Sequence, residues 1–393
     1  KWPKNWGIND ISNEEKKKVF EYTGYTYDEL EKRWNNATYK YLLNNYDEET
    51  GAIYGHYDPK AKVNEKPNLT NLIAPLQFLA VYDKNGDRDM LNKAKSCADF
   101  LYKTAVIWWP MHMWQGGVKD TGEIGGQVWV KYTAEILQLF LAIYNRTGDQ
   151  EYLRRAKQNA TFLKQAQRHE FKFTFDLQKQ EWQENGWKSF GRVIEALIGL
   201  YSVTKEEKYL KRAKSWADYG LNLQAPNGCF YLIDDYFYNT DIAPNEIRGL
   251  TYLYEITGDK IYLDSAKRYA DWHIEHQRAD GGWLLALDRD DEVVCDVVGP
   301  GDPANIAISM LRLHYNTGDR KYLDSAIKAL KYSIKMQAAP GCLYDKYLDD
   351  PKVLWGFWSW EPTLDWTVCG DQSVHHVRAM MFVADYISRM LEN

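Results

Sequence analysis

Apolar residues recur along the chain at the spacing of one face of an α-helix, in pairs of segments with different character. The first segment of a pair is apolar around most of its circumference, as in 134–144, whereas the second carries charges along one side, as in 209–219. A helix that is apolar all round packs in the interior, and an amphipathic helix covers it with its charged side in water. The pattern therefore predicts helical hairpins, each with an inner and an outer helix.

A short phrase separates the two helices of each pair, and in most copies it is Thr-Gly-Asp followed by Tyr-Leu. Its Gly is expected to end the inner helix in the left-handed conformation, and its Asp to cap the outer helix. Tyr-Leu then starts the apolar stripe of the outer helix. The five copies are spaced by 62, 57, 53 and 60 residues and begin at Asn85, Thr147, Thr204, Thr257 and Thr317.

The number of copies predicts the fold. Together with an opening helix near 27–46 and a closing helix near 373–391, five phrases give about twelve helices, or six hairpins. Six hairpins of this size close into a ring, so we expect an all-α (α/α)6 toroid with short β-hairpin loops. The alternative, an open solenoid, has shorter repeats of about 33 to 47 residues. We find no linker rich in Pro, Gly or Ser, and expect a single domain over 1–393.

Extended stretches that begin with Gly follow several of the outer helices. They predict the short strands that link one hairpin to the next. These stretches are 51–57, 228–233, 281–288 and 341–345.

Charge and hydropathy exclude several classes of partner. The net charge is -6 and there is no basic run, which makes nucleic-acid binding a poor expectation because phosphates require clustered Lys and Arg. No run of 18 apolar residues is present, so we expect no membrane span. The chain starts at Lys1 rather than Met, so we expect that an upstream segment precedes it. The sequence leaves a cytoplasmic and a secreted or periplasmic location open, and it does not give the oligomeric state.

The cysteines and aromatic residues bear on cofactor and substrate. Five cysteines are scattered without CxxC spacing, so neither a disulfide framework nor a zinc site is predicted, and we expect no cofactor. Aromatic residues make up 15% of the chain, with 16 Trp and 29 Tyr. Their flat faces and polar edges suit sugar rings, although the same rings could simply fill a helical core.

In a toroid the inner helices start at one face, where their N-termini favour carboxylates and anionic ligands. Asp241 and Asp302 are 61 residues apart, at nearly the same place in successive repeats. A pair of carboxylates flanking a cleft is what glycosidic chemistry requires, so both are predicted catalytic residues. The alternative is that each Asp only caps its helix. His375 is a third candidate, as a proton donor or a hydrogen-bonding partner of a carboxylate.

Residues at the same helix starts are predicted to bind the substrate. An Arg inside a toroid implies a buried anion, which could belong to the protein or to the substrate. The segment 355–376 holds five aromatic and three acidic residues, and such a loop is typical of a cleft wall. The predicted substrate-binding residues are Trp129, Trp187, Arg192, Asn245, Arg248, Trp358, Trp360 and Asp371.

The repeat phrase and the placement of Asp resemble those of the (α/α)6-barrel carbohydrate-active enzymes, and most of all the unsaturated glucuronyl and rhamnogalacturonyl hydrolases, glycoside hydrolase families 88 and 105. Segments 241–259 and 302–319 carry the resemblance, since each places an Asp about four turns before Thr-Gly-Asp. The resemblance implies a glycoside hydrolase with one catalytic domain, active on acidic oligosaccharides or polysaccharides. One Asp would protonate the C4=C5 double bond of an unsaturated uronic acid and activate water at C5.

Two other classes of function stay open. A polysaccharide lyase or a sugar epimerase on the same toroid would need a base such as His375 or Tyr252 to remove a proton, with Arg248 or Asn245 neutralising the carboxylate. A non-catalytic glycan-binding toroid would stack sugars on aromatic rings without a coupled pair of carboxylates.

Overall fold

The computed structural model describes residues 11–64, 70–108, 114–119, 126–184, 186–233, 236–238, 243–299 and 301–390, without the side chains of residues 70, 71, 243 and 302. The α-helices within these residues are α1 (Asn13–Thr23), α2 (Tyr27–Asn36), α3 (Thr70–Asn85), α4 (Arg88–Thr104), α5 (Val130–Thr147), α6 (Gln150–Arg168), α7 (Phe190–Thr204), α8 (Glu207–Leu221), α9 (Ala243–Thr257), α10 (Lys260–Glu275), α11 (Gly301–Thr317), α12 (Arg320–Lys335) and α13 (Gly370–Arg389). A π-helical segment, Ala37–Leu42, continues α2. The strands are β1 (His56–Asp58), β2 (Val63–Asn64), β3 (Val118–Lys119), β4 (Gln127–Trp129), β5 (Thr174–Asp176), β6 (Glu181–Trp182), β7 (Phe237–Tyr238), β8 (Ala286–Leu287), β9 (Val293–Cys295) and β10 (Val368–Cys369).

The helix ends fall at the repeated phrase, as predicted. Lys205 takes the left-handed position in the third copy, which lacks the Gly of the others. Asp149 and Asp319 cap α6 and α12 by accepting backbone N–H groups. The glycines that end α5, α9 and α11 have φ of 70°, 74° and 69° and are Gly148, Gly258 and Gly318.

The chain folds into two compact units, and the second comprises Ala98–Glu275 and Ala286–Cys295. Its inner helices α5, α7 and α9 pack side by side, and α6, α8 and α10 each cover the inner helix of their own hairpin. Two small antiparallel sheets, in the orders β3-β4-β5-β6 and β7-β8-β9, complete this unit. Because β4 leads directly into α5, the four-stranded sheet lies at the N-terminal end of an inner helix.

The first unit comprises Lys1–Cys97, His276–Leu285 and Asp296–Asn393. Helix α13 contacts α1, α2, α3, α11 and α12, and a three-stranded sheet has the order β10-β1-β2. A buried polar network joins three of the helices: Lys84 Nζ lies 2.8 Å from Oδ1 of Asp385 and 3.0 Å from the Tyr27 hydroxyl. A single domain over the whole chain stays a prediction.

Three local features differ from the expectations. The stretch 228–233 forms no strand and makes only isolated β-bridges, at Phe230 and Ile233. The stretch 341–345 forms a turn instead of a strand, because Gly341 has φ of 79° and the N–H of Cys342 donates back to the Ala339 carbonyl at 3.1 Å. An additional helix, α1, precedes the predicted opening helix. Its start is a capping box in which Ser12 and Glu15 exchange hydrogen bonds.

Candidate active site

Charged side chains cluster where the inner helices of the second unit begin. The first backbone N–H groups of a helix have no partner within it, and the helix dipole adds positive charge there. Such a place favours carboxylates and anionic ligands. The polar residues of α7 and α9 at this end are Arg192, Glu195, Asn245, Glu246 and Arg248.

Two arginines of this cluster form ion pairs with glutamates on the preceding inner helix. Arg192 Nη1 lies 2.9 Å from Oε2 of Glu135 on α5, and Arg248 Nε lies 2.9 Å from Oε1 of Glu195 on α7. Arg248 also donates to Oδ1 of the fully buried Asn245. The sequence left open whether each arginine meets a carboxylate of the protein or of the substrate. In the structure each of them pairs with a protein carboxylate. The ion pairs tie α5, α7 and α9 together near their first turns.

Glu246 is a fully buried carboxyl in the same cluster. Its Oε2 accepts the backbone N–H of Gly191, and its Oε1 has no hydrogen-bond partner among the described residues. Burial raises the pKa of Glu246 well above its usual range, and the Glu195 carboxylate acts in the same direction, against the Gly191 amide and both arginines. Glu246 therefore holds its proton at pH values where an exposed glutamate is charged.

Glycines let α7 and α9 approach each other closely at this carboxyl. A Cβ on Gly191 would lie 2.5 Å from the carbonyl carbon of Asn245 and closer still to Oε2 of Glu246. A Cβ on Gly249 would lie 2.5 Å from the Gly191 carbonyl oxygen. Neither glycine is among the predicted site residues. The available signal was a Gly near the start of an inner helix, where a residue without a side chain indicates close backbone contact.

The first turn of α5 combines aromatic rings with a cation. Lys131 is buried, and its Nζ lies 3.9 Å from the ring centroid of Trp187 and 4.8 Å from that of Tyr132. Trp129 precedes α5 and lies 5.9 Å from Tyr132, centroid to centroid. Trp129 and Trp187 are both partly exposed. The predicted substrate contacts Trp129 and Trp187 thus lie at the N-terminal ends of the inner helices α5 and α7. The nearby Lys131 is not among the predicted site residues.

In the first unit, Asp371 lies in the first turn of α13. Its Oδ1 accepts the N–H of Gln372 at 2.7 Å and the thiol of Cys369. A carboxylate in this position compensates the helix dipole. Asp371 is partly exposed, and its contact with a substrate stays a prediction.

Two adjacent histidines of α13 are buried, with His375 4% exposed and His376 fully covered. The ring of His376 stacks on Phe357 with centroids 4.5 Å apart, and its Nδ1 lies 2.7 Å from the Ser333 hydroxyl. Burial lowers the pKa of His376 well below its usual range, so this imidazole is neutral. The catalytic role of His375 stays a prediction.

The aromatic segment before α13 is packed more deeply than the sequence suggested. Trp358 is fully buried, its indole N–H donates to the Tyr344 carbonyl at 2.9 Å, and its ring packs edge-on against Trp366. This ring is part of the interior, where a backbone carbonyl satisfies its polar edge, and its contact with a substrate stays a prediction. Trp360 is partly exposed and is followed by Glu361, which is anchored by Lys335 and Tyr332.

The two predicted catalytic aspartates are only partly placed. Asp241 lies outside the described residues, two positions before α9. Asp302 is the second residue of α11, and its side chain is outside the description. Their pairing stays a prediction. Within the described ranges, no group of three or more His, Cys, Asp or Glu side chains is placed to hold a metal ion.

Comparisons with known proteins agree with this architecture. A family model, the Beta-L-arabinofuranosidase, GH127 catalytic domain, matches residues 111–225, a range that includes α5 to α8. No curated protein matches the chain significantly.

Solved structures match over nearly the whole length. D-mannose isomerase is similar with a TM-score of 0.72 at 15% identity, covering 91% of this chain and 97% of that one. Cellobiose 2-epimerase from Bacillus thermoamylovorans B4167 has a TM-score of 0.72 at 15% identity, covering 92% and 99%. Unsaturated glucuronyl hydrolase from Bacillus sp. GL1 has a TM-score of 0.67 at 13% identity, covering 90% and 96%.

These likenesses establish the fold. The chain has the (α/α)6 toroid fold, and the predicted resemblance to (α/α)6 enzymes that include the unsaturated glucuronyl hydrolases is confirmed. The match of residues 111–225 to the catalytic domain of a glycoside hydrolase family supports a carbohydrate-active enzyme. None of the helices in the described part of the chain is long and apolar enough to cross a membrane.

Proposed function

We propose that the protein is a glycoside hydrolase that acts on oligosaccharides containing a uronic acid. The observation that carries the proposal is the cluster of charged side chains where α7 and α9 begin, in which the buried Glu246 lies near two arginine–glutamate ion pairs. Carboxyls with strongly shifted pKa values and specific charged neighbours cluster at catalytic sites. Glycoside hydrolysis needs one carboxyl that keeps its proton and another that is charged, and the buried Glu246 marks the helix end at which we place such a pair.

Each carboxyl has a proposed part in this chemistry. Asp241 precedes the helix that carries Glu246, and Asp302 lies at the start of α11, so we assign the acid and base roles to these two aspartates. Glu246 is fully buried and serves as a positioning residue. Its neutral carboxyl, held by the Gly191 amide, fixes the first turn of α9 without adding a negative charge to the site.

The first turn of α5 supports an acidic sugar as the substrate. Arg192 and Arg248 form ion pairs with protein glutamates, and Lys131 in the first turn of α5 is a further cation near the helix starts. Lys131 lies against the partly exposed ring of Trp187. A sugar ring stacked on an indole would bring its carboxylate to such a cation.

The test is incubation with unsaturated uronic-acid disaccharides and with the intact acidic polysaccharides from which they come. We expect the ultraviolet absorbance of the C4=C5 double bond to fall on the fragments, with release of the second sugar in the mass spectrum. Asp241→Asn and Asp302→Asn should abolish the signal. Asp319→Asn makes the same chemical change at the N-cap of α12, just beyond the C-terminal end of α11, where Asn can still accept the capping hydrogen bond. It is the matched control and should leave the signal intact. A rising absorbance on intact polymer would instead identify a lyase.

A sugar epimerase is the second candidate, favoured by the near full-length match to D-mannose isomerase and cellobiose 2-epimerase. An epimerase needs a base to remove a proton next to a carbonyl carbon, and we assign this role to His375 of α13, which is 4% exposed. Its product has the mass of the substrate. Chromatography of mannose and cellobiose digests would therefore detect epimerisation where mass spectrometry shows no change.

A further inference from the structure

The segment 341–367 of the first unit brings four aromatic rings together before α13. Trp366 lies at the centre of this group, and its ring packs edge-on against Trp358 with centroids 5.1 Å apart. The rings of Tyr344 and Tyr347 flank it at 6.2 Å and 6.4 Å. Trp358 is fully buried, whereas the other three residues are partly exposed. These three form an aromatic surface, the Trp366 platform, that rests on the interior and reaches the solvent.

Polar atoms of the platform are accessible to a ligand. Neither Nε1 of Trp366 nor the Tyr347 hydroxyl has a hydrogen-bond partner within the described chain, and neither belongs to its polar atoms that are sealed from solvent. The Tyr344 hydroxyl instead donates to Oε1 of Glu361 at 3.4 Å. Aromatic faces bordered by accessible N–H and O–H groups suit a sugar, which has an apolar face and a rim of hydroxyl groups.

Large apolar side chains next to the platform are exposed as well. Leu343 and Leu364 are 61% and 64% exposed, and each lies within two positions of a platform residue. Contiguous exposed apolar surface of this kind marks an interaction site. The indole of Trp358 supports the platform from inside, because its N–H donates to the Tyr344 carbonyl at 2.9 Å. Rings held in this way lose little conformational entropy when a ligand stacks on them.

The charges around the platform select among sugars. Three exposed aspartates, Asp345, Asp349 and Asp365, lie within two positions of a platform residue. Their carboxylates can accept hydrogen bonds from sugar hydroxyls, and they repel an anionic sugar. The surroundings of the platform therefore favour an uncharged sugar.

One lysine covers the central ring. Lys346 is exposed, and its Nζ lies 4.1 Å from the centroid of the Trp366 indole. It forms no ion pair with a carboxylate in the described part of the chain. A cation–π contact at an exposed position is weak, so a sugar that stacks on the indole can displace this side chain.

We propose that the Trp366 platform binds an uncharged sugar residue of the saccharide on which the enzyme acts. The sugar would stack on the indole in place of Lys346, while Nε1 of Trp366 and the Tyr347 hydroxyl bond oxygens of the saccharide. Strand β10 joins Trp366 to α13, whose first turn holds the predicted substrate contact Asp371. The inference rests on the proposed carbohydrate function and extends it to a neutral part of the substrate.

The test is a binding measurement that does not require turnover. Calorimetric titration and saturation-transfer NMR would use β-1,4-linked hexasaccharides of glucose, mannose and xylose as neutral probes, with hexagalacturonate as the acidic one. We expect at least one neutral probe to bind. Trp366→Gly removes the ring at a position whose φ of 55° favours Gly, and it should weaken neutral binding about 10-fold without changing hexagalacturonate binding. Lys346→Ala uncovers the indole and should tighten neutral binding about 2- to 5-fold.

The matched control is Trp355→Gly. Trp355 is also partly exposed and has a φ of 74°, but its ring contacts no other aromatic ring in the described chain. Its replacement should leave binding unchanged, and thermal melting checks that every variant is folded.

Three results would overturn the proposal: no neutral probe binds the folded protein, Trp366→Gly binds as the parent does, or Lys346→Ala weakens neutral binding. Light scattering adds a further check, because a protein that binds no saccharide but changes its oligomeric state in Trp366→Gly would use this surface to join copies of the chain.

Failure of this inference is distinguishable from failure of the proposed function. If no saccharide is turned over but a neutral hexasaccharide binds in a manner that depends on Trp366, the platform stands and the hydrolase proposal fails. If uronic-acid disaccharides are hydrolysed and Trp366→Gly binds neutral saccharides as the parent does, the hydrolase proposal stands and the platform fails.

Discussion

Replacing Gly191 by alanine places a methyl group at a close approach of α7 and α9. The new Cβ would lie 2.5 Å from the carbonyl carbon of Asn245 and closer to the Glu246 carboxyl. Overpacking of this kind costs about 1–3 kcal/mol of the free energy of unfolding. Since the obstructing atoms belong to backbone and to a fully buried side chain, we expect the upper part of this range. Alanine offsets about 0.5–1 kcal/mol through its higher helix propensity, which leaves a net loss of about 2 kcal/mol.

Gly199→Ala is the matched control, because it makes the same chemical change on the same helix. Its Cβ would lie 3.0 Å from Cδ1 of Leu141, the end of a side chain that can rotate away. We therefore expect Gly199→Ala to range from neutral to about 1 kcal/mol more stable. Urea denaturation followed by circular dichroism measures both variants. Equal stabilities for the two variants would refute the close approach of α7 and α9.

Three further predictions concern buried groups. Glu246→Gln should become more stable relative to the parent as the pH rises from about 4 to about 8. The raised pKa of Glu246 gives the parent stability that is present at low pH and is lost as the pH rises. A difference in melting temperature that does not change with pH would contradict this. Asp385→Asn should lower the free energy of unfolding, measured by urea denaturation, by about 3–5 kcal/mol, because it leaves the buried Lys84 without its carboxylate. The control Asp28→Asn breaks the exposed pair with Lys16 and should change this free energy little. In the native protein a thiol reagent should modify the partly exposed Cys295 and Cys342 and spare Cys97, Cys229 and Cys369 until the chain is unfolded; rapid native labelling of all five would show that these thiols are not buried.

The helix ends could be predicted because their signals are local. A Gly that ends one helix and an Asp that caps the next act through the few residues around them, so Gly148 and Asp149 are where the repeated phrase places them. Lys205 takes the same conformation without a Gly, because the helices on both sides fix the turn. The turn at 341–345 was missed, since an isolated Gly before apolar residues is equally compatible with a strand and a turn.

The pairing within the candidate site could not be predicted. Arg192 was correctly expected to meet an anion, but the choice between Glu135 and a substrate depends on how α5 and α7 are aligned, which no short sequence pattern encodes. Glu246 is not among the predicted site residues, and its burial depends on close packing against Gly191 of another helix. Trp358 looked like a cleft residue because its segment is rich in aromatics, and its burial depends on a carbonyl at Tyr344.

Product analysis of uronic-acid disaccharides incubated with the purified protein tests the central claim most directly. The account predicts that the parent protein releases two monosaccharides from such a disaccharide, that Asp241→Asn and Asp302→Asn do not, and that Asp319→Asn does. An intact disaccharide after incubation with the folded parent protein, across acidic disaccharides of different linkage, would contradict it.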